Sequence, residues 1–150
     1  MEHCEHHQVK TDTAATAASV TLHCLAGCSI GEFIGLAIGV QLGLSVLVTV
    51  TLATVLAFIT GFALTLYPLV YRRSMTLALA FKTVWLGEVI SIGVMEIAMN
   101  VTDYLVGGMS ATSMFDAIFW LGFAAALVAG YICAYPVNYY MVKRNMPRCH

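Results

Sequence analysis

Charged side chains are scarce in this chain of 150 residues. Only 10% of the residues are charged, whereas soluble domains carry about 25%. Between Asp12 and Arg72 the one charged residue is Glu32, and none lies between Asp116 and Lys143. So few charges cannot cover a soluble globule, and the apolar stretches exceed the roughly 20 residues that span a bilayer. The sequence therefore predicts an integral membrane protein.

Several other signals are also missing. The net charge is -1 and no block of one sign occurs, which argues against a nucleic-acid partner. There is no Cys-x-x-Cys pair, His-Glu-x-x-His helix, phosphate-binding glycine loop or nucleophile elbow. The N-terminus lacks the basic region and cleavage site of a signal peptide. We therefore expect a protein that is not an enzyme and that keeps its first apolar helix.

Four long apolar segments predict four transmembrane helices. We expect them to cover residues 13–41, 45–71, 74–106 and 113–141. The connections are short, as antiparallel neighbours in a bundle require. The predicted fold class is therefore all-α. It consists of a tail of residues 1–12, a four-helix transmembrane domain of residues 13–142 and a basic tail of residues 143–150.

Basic residues lie on one predicted side of the membrane. Arg72 and Arg73 follow the second helix, and Lys143, Arg144 and Arg148 follow the fourth. Lys and Arg are retained on the cytoplasmic side. We therefore expect both termini to be cytoplasmic.

Two pairs of short motifs indicate an internal repeat of one helical hairpin. Residues 31–34 read Gly-Glu-Phe-Ile and residues 87–90 read Gly-Glu-Val-Ile. A Tyr-Pro pair follows in each half, at residues 67–68 and 135–136. Two copies of one hairpin would be related by an axis along the membrane normal. The repeat predicts that the two Gly-Glu pairs lie at similar depths near mid-membrane, where their carboxyls could face each other.

Every fourth residue is a glycine along one face of the first helix. These residues are Gly27, Gly31, Gly35, Gly39 and Gly43. Small residues at this spacing let two helices approach closely by van der Waals packing. We expect this glycine ridge to pack against another helix, either inside the bundle or in a second copy or larger complex.

Metal-donor side chains cluster on the same helix. Cys24, Cys28 and Glu32 are spaced four residues apart and form one row, and His23 adjoins the first thiol. Thiols and imidazole suit copper(I) or zinc, and Glu32 with Glu88 would balance the charge. His23 points about 100° away from Cys24 around the helix, so it could instead contact a neighbouring helix. A lone membrane cysteine behaves as a small hydrophobe, so the clustering is what indicates a site.

The third helix carries a second set of candidate ligands. Met95 and Met99 share a narrow stripe with Glu88, and Glu96 and Asp103 flank it. An ionisable group at membrane depth is expensive and marks a functional site by default. We expect Met95, Met99 and Glu96 to form a second station, and Asp103 to lie near the outer interface. The alternative is that the carboxyls are protonated and only bond neighbouring helices.

Both tails contain further donors, and disulfides are not expected. Residues 1–7 read Met-Glu-His-Cys-Glu-His-His, and the chain closes on Cys149-His150. Such tracts could load or sense a metal, although a short tract alone is a weak signal. The odd number of five cysteines, two of them in tails predicted to face the reducing cytoplasm, argues against a disulfide framework.

These motifs resemble those of a prokaryotic family of small membrane proteins known as domain of unknown function 4396. The resemblance rests on His-Cys-x-x-Gly-Cys-x-x-Gly-Glu at residues 23–32, Trp-x-Gly-Glu at residues 85–88 with Glu96, and Tyr-Pro-Val-Asn-Tyr at residues 135–139. It extends from about residue 20 to residue 144. It implies the four-helix membrane fold and a prokaryotic origin, and it implies no activity.

The sequence favours a soft-metal membrane protein over two alternatives. We expect it to lie in the cytoplasmic membrane of a prokaryote, to bind copper(I) or, as second choice, zinc, and to transport the ion or deliver it to a partner. Besides lipids, a homo-oligomer or a membrane complex is expected, because four helices make a thin wall around a pathway. The first alternative is a proton-coupled carrier or channel that uses Glu32 and Glu88. The second is a structural subunit that docks through the glycine ridge.

Overall fold

The structure of the chain is a computed structural model that describes residues 13–145. All elements in this range are helical: α1 Thr13–Gln41, α2 Val46–Tyr71, α3 Leu77–Val106 and α4 Ala117–Asn145, with a short 3₁₀ helix, Gly108–Ser110, after α3. Each of the four long helices has the length and apolar composition to cross a membrane. The predicted all-α, four-helix membrane fold is therefore confirmed.

α3 and α4 begin three and four residues later than the sequence predicts, whereas α2 begins one residue later. Residue 74 was the expected start of α3, but Ser74 has a positive φ of 51°, and the helix begins three residues later. The carboxylate of Asp116 accepts hydrogen bonds from the backbone N–H of Thr112 and Ser113, each over 3.0 Å, which closes a turn before α4. These bonds and one from the Thr112 hydroxyl hold the pKa of Asp116 below its ordinary value. The backbone turn at Ser74 and the hydrogen-bonded turn closed by Asp116 therefore determine where α3 and α4 begin.

The helices form two antiparallel hairpins. Packing is most extensive between α1 and α2 and between α3 and α4; α4 also contacts α1, whereas α1 and α3 touch at few points. The bundle therefore has one end where α1 begins and α4 ends, which we call the terminal end. The opposite end carries the α1–α2 and α3–α4 connections.

The glycine ridge of α1 packs against α2. Gly27 faces Gly61, Gly31 faces Ala57, Gly35 faces Ala53 and Gly39 faces Thr49. A methyl group on Gly27 would lie 2.8 Å from the Gly61 Cα, which is too close for any side chain. The Thr60 hydroxyl donates a hydrogen bond to the Gly27 carbonyl oxygen over 2.7 Å and ties the two helices together. The four glycines from Gly27 to Gly39 therefore pack inside the chain, whereas Gly43, predicted as part of the ridge, follows the end of α1 and has nothing within 4 Å of an added methyl group.

An aromatic cluster fills the half of the interior that lies opposite the terminal end, and large apolar side chains cover the outside of the bundle. The Phe33 ring lies 6.2 Å from that of Phe119 and 5.6 Å from that of Phe123, centroid to centroid. Phe33 also packs against Trp120. Many large apolar side chains on the outside are more than half exposed and are placed to face lipid. Examples are Leu22, Leu47, Val55, Ile59, Leu105, Leu121 and Ile132. The interior is thus dense at one end of the bundle.

Candidate functional site

Two thiols from α1 lie at the centre of the bundle. Cys24 is 4% exposed and Cys28 is fully buried, and the two thiols belong to one buried cluster. Ser91 of α3 donates a hydrogen bond to the Cys24 sulfur over 3.5 Å. Both are free thiols. The predicted cysteine row thus places two sulfur atoms side by side in a site shielded from water.

Two thioethers lie in the same buried cluster as the thiols. Met95 and Met99 of α3 are fully buried and belong to the cluster that contains Cys24 and Cys28. Gly130 of α4 leaves room for them, since a methyl group there would lie 2.9 Å from the Met99 sulfur. The sequence assigned thiols and thioethers to two stations, whereas the structure gathers them into one cluster. Thiolate and thioether ligands select copper(I).

Buried carboxyls continue the interior beyond the sulfur cluster. Glu32 is fully buried and neither of its oxygens has a hydrogen-bond partner among the described residues. Its carboxyl lies near those of Glu96 and Asp103 on α3. Glu96 is 2% exposed; one of its oxygens accepts a hydrogen bond from Asn100 over 3.3 Å and the other has no partner. An unpaired carboxylate is costly in such a place, so these groups must bind a proton or a cation.

The partner of Glu32 is therefore Glu96 rather than Glu88. Ser91 of α3 contacts Cys24 of α1; Glu32 lies eight residues after Cys24 and Glu96 lies five residues after Ser91, so both lie on the same side of this contact. Glu88 lies eight residues earlier on α3, which is about 12 Å along the helix axis. The two Gly-Glu pairs do not lie at equal depth, and the expectation that Glu32 faces Glu88 is corrected.

Asp103 is buried, although the sequence placed it near the outer interface. It is 1% exposed and neither oxygen has a hydrogen-bond partner in the described part of the chain. A methyl group on Gly108 or on Gly122 would overlap its carboxyl, so the two glycines form a cradle around it. Gly122 and the Gly107-Gly108 pair after α3 are the sequence features that could have predicted a buried Asp103 side chain.

His23 and Glu88 form a separate pair nearer the terminal end. The His23 Nε2 lies 3.3 Å from the Leu64 carbonyl oxygen of α2, on an exposed face of α1. Glu88 lies beside Thr65 of α2 and near His23. The imidazole therefore points away from the thiols, as its angle around the helix allows, and neither residue joins Glu32.

A groove between α1, α3 and α4 leads from the terminal end toward the thiols. It has a volume of about 1170 Å³. Thr16 and Arg144 line it near the terminal end, and Cys24, Ser91 and Glu88 line it deeper in the bundle. Asn138 also lines it, a residue that the sequence reading noted only within the Tyr-Pro-Val-Asn-Tyr motif. The thiol cluster therefore has an approach from one end of the bundle.

No three His, Cys, Asp or Glu side chains of residues 13–144 converge closely enough to hold a metal ion. A metal at the two thiols must therefore take its remaining ligands from the thioethers or from a molecule that enters the groove. The donors predicted in residues 1–7 and 149–150 lie outside the described residues.

Comparison with known families gives one match. The model of a family described as Domain of unknown function (DUF4396) matches residues 13–146, nearly the whole chain. Neither the curated proteins nor the solved structures yield a match. The match agrees with the resemblance seen in the motifs, and it adds no activity.

Proposed function

The chain belongs to the family described as Domain of unknown function (DUF4396), and we propose that it binds a soft transition metal inside the membrane. Copper(I) is the first choice and zinc the second, because the thiols have thioether neighbours and soft sulfur donors select copper(I). In this proposal the protein is not an enzyme. It lies in the cytoplasmic membrane of a prokaryote with both termini cytoplasmic, and it moves the ion or hands it to a partner.

One observation carries this proposal: two thiols share a buried cluster with two thioethers. Cys24 and Cys28 would be the anionic ligands, and Met95 and Met99 the neutral ones. A singly charged ion held by sulfur can be dehydrated at lower cost than a small divalent ion. His23 is left out of the ligand set because it faces α2. Glu32 and Glu96 would lie beyond the metal on a path across the bundle, which a second copy or a partner would complete.

Metal analysis of the purified protein tests the proposal. We expect copper, loaded anaerobically as copper(I), to bind to the wild type and to be lost in the Cys24→Ser/Cys28→Ser variant. Cys133→Ser is the matched control, because this exposed cysteine of α4 lies outside the sulfur cluster. X-ray absorption should show a sulfur-only environment for the ion. Retention of copper in the double variant, or a wild type that binds neither copper nor zinc, would refute the site.

A proton-coupled carrier is the second candidate, favoured by the unpartnered oxygens of Glu32 and Glu96. In this case the sulfur atoms only pack the core, and the two facing carboxyls exchange protons. We expect Glu32→Gln to abolish pH-dependent flux in proteoliposomes, and Glu88→Gln, at a different depth, to retain it. Equal flux in the wild type and in Glu32→Gln would exclude this candidate.

A further inference from the structure

The groove between α1, α3 and α4 has a largely aliphatic wall that is open to the membrane. Its large apolar side chains are Val20, Val84, Leu86, Ile90, Val137 and Met141. Three of them, Val20, Leu86 and Ile90, are about half exposed. The carboxyl of Glu88, which belongs to the same wall, lies beside Thr65 of α2. The wall therefore suits a hydrocarbon chain better than a polar solute.

Two contacts between helices give the depth of the groove. Asn138 of α4 donates a hydrogen bond to the Thr21 hydroxyl, and Ser91 of α3 donates one to the Cys24 sulfur. Cys24 lies three residues deeper than Thr21, and Arg144 lies six residues from Asn138 toward the terminal end. At a rise of about 1.5 Å per residue, Arg144 and Cys24 are about 13 Å apart along the bundle. The hydrocarbon layer of one leaflet is about 15 Å thick, half of the bilayer core, so the groove spans about one leaflet.

The outer end of the groove is polar and positively charged. Arg144 lines it, and its guanidinium carbon lies 4.6 Å from the centre of the Tyr140 ring, which holds the charge beside the groove. Thr16 and Thr83 also line this end. Among the described lining residues Glu88 is the only acid, and it lies deeper, against α2. The charge of Arg144 is therefore available to an anion, and guanidinium groups bind phosphate oxygens with two parallel hydrogen bonds.

We propose that the groove binds one anionic phospholipid from the leaflet at the terminal end. Its phosphate would pair with Arg144, and one acyl chain would follow the aliphatic wall toward Cys24. Basic pockets between membrane helices bind anionic headgroups in this way, and tyrosine is enriched at headgroup level. The end of the chain would lie beside Cys24, so the lipid must shift before an ion reaches this thiol through the groove.

A second copy of the chain matches the groove less well than a lipid does. It would cover the aliphatic wall but would bring no described carboxylate to Arg144. Asp116, the one acidic side chain of residues 13–145 that lies outside the helical bundle interior, is in the connection at the opposite end. Charge complementarity therefore favours the lipid. The lipid site does not depend on the proposed metal function.

Native mass spectrometry of the delipidated protein tests the headgroup contact. We expect the wild type to bind one phosphatidylglycerol tightly and to bind phosphatidylcholine with the same acyl chains more weakly. Arg144→Gln should weaken the binding of phosphatidylglycerol about threefold, as the loss of one exposed ion pair predicts. Lys143→Gln is the matched control, because it removes the same charge from a neighbouring residue that does not line the groove.

A pair of glycine variants tests the aliphatic wall. A methyl group on Gly87, which lines the groove, would meet only the Met141 sulfur, at an ordinary contact distance of 3.8 Å. We therefore expect Gly87→Leu to fold and to lose the tight phosphatidylglycerol site, because its side chain fills the groove. Gly93→Leu is the matched control and should keep the site, because Gly93 does not line the groove and has nothing within 4 Å of an added methyl group. Melting curves of both variants in detergent separate loss of the site from loss of the fold.

Three results would overturn the lipid site. The first is equal binding of the two lipids by the wild type, and the second is equal weakening by Arg144→Gln and Lys143→Gln. The third is a lipid-free dimer of the wild type that Gly87→Leu separates into monomers, since a second copy would then cover the groove.

Discussion

Single residues in the interior of this bundle combine soft sulfur atoms with carboxyls that have no partner. Glu32 is the clearest case, because it is fully buried and both of its oxygens are unpaired. Burying a carboxylate without a counter-ion costs far more than burying the neutral acid. A fold that tolerates Glu32 must therefore supply a proton or a cation at this position.

The neutral state of Glu32 can be tested by replacement with its uncharged isostere. We expect Glu32→Gln to change the free energy of unfolding by less than about 1 kcal/mol, because no hydrogen bond in the described structure is lost. Glu32→Ala should cost about 2–4 kcal/mol, because it leaves a cavity in a packed interior. Denaturant unfolding in mixed micelles would compare the two. Equal destabilisation by both substitutions would show that an ionised Glu32 holds a cation in the folded protein.

At the scale of helices, the glycine ridge sets the register between α1 and α2. With Gly27 against Gly61 and Gly35 against Ala53, the two backbones lie in van der Waals contact along about two turns. This close approach leaves α1 free to present its other face, with Cys24, Cys28 and Glu32, toward α3. The packing face and the chemical face of α1 are therefore two neighbouring rows of one helix.

The sequence could predict these rows but not the depth at which the helices meet. Length and composition determine the four spans, and the spacing of four residues identifies both rows on α1. The depth of Glu88 relative to Glu32 depends on the register in which α1 and α3 pack, which the contact between Ser91 and Cys24 shows. The short Gly-Glu match carried no such information. The burial of Asp103 likewise depends on how the chain folds back after α3.

A glycine pair on α1 and α3 tests whether the ridge is essential. A methyl group on Gly31 would overlap the backbone of Leu56 and Ala57, which cannot move without separating the helices. We expect Gly31→Ala to destabilise the protein by about 1–3 kcal/mol or more. Gly93 of α3 has nothing within 4 Å of an added methyl group, so Gly93→Ala should cost nothing. Thermal unfolding in detergent would compare them, and equal melting temperatures would contradict the packing role of the ridge.

The molecule as a whole is asymmetric along the bundle. Phe33, Phe119 and Phe123 pack together in the half that carries the loops, and Asp103 lies under Gly108 and Gly122. The groove enters from the terminal end and leads to Cys24. Arg72, Arg73, Lys143 and Arg144 are also at this end. From the retention of basic residues on the cytoplasmic side we expect the terminal end to be cytoplasmic, and the thiols to be reached from that side.

The side from which Cys24 is reached can be measured in sealed vesicles. A variant that keeps Cys24 as its single cysteine, with Ser at positions 4, 28, 133 and 149, would be treated with a membrane-impermeant thiol reagent. We expect labelling in inside-out vesicles to be at least about tenfold faster than in right-side-out vesicles. The reason is that the groove opens toward the terminal end, whereas packed aromatic rings block the other path.

A second cysteine position calibrates this measurement. Thr112→Cys, on a background without other cysteines, places a thiol in the exposed α3–α4 connection, so it should react from the opposite side. If Cys24 and the cysteine at position 112 react from the same side, then the groove is not the route to the thiols. If each of the two cysteines reacts from the side opposite to the one expected, the groove is still the route to the thiols. In that case the basic residues do not predict the topology. Because the two positions lie on one chain, their order of reaction separates the position of the groove from the orientation of the bundle.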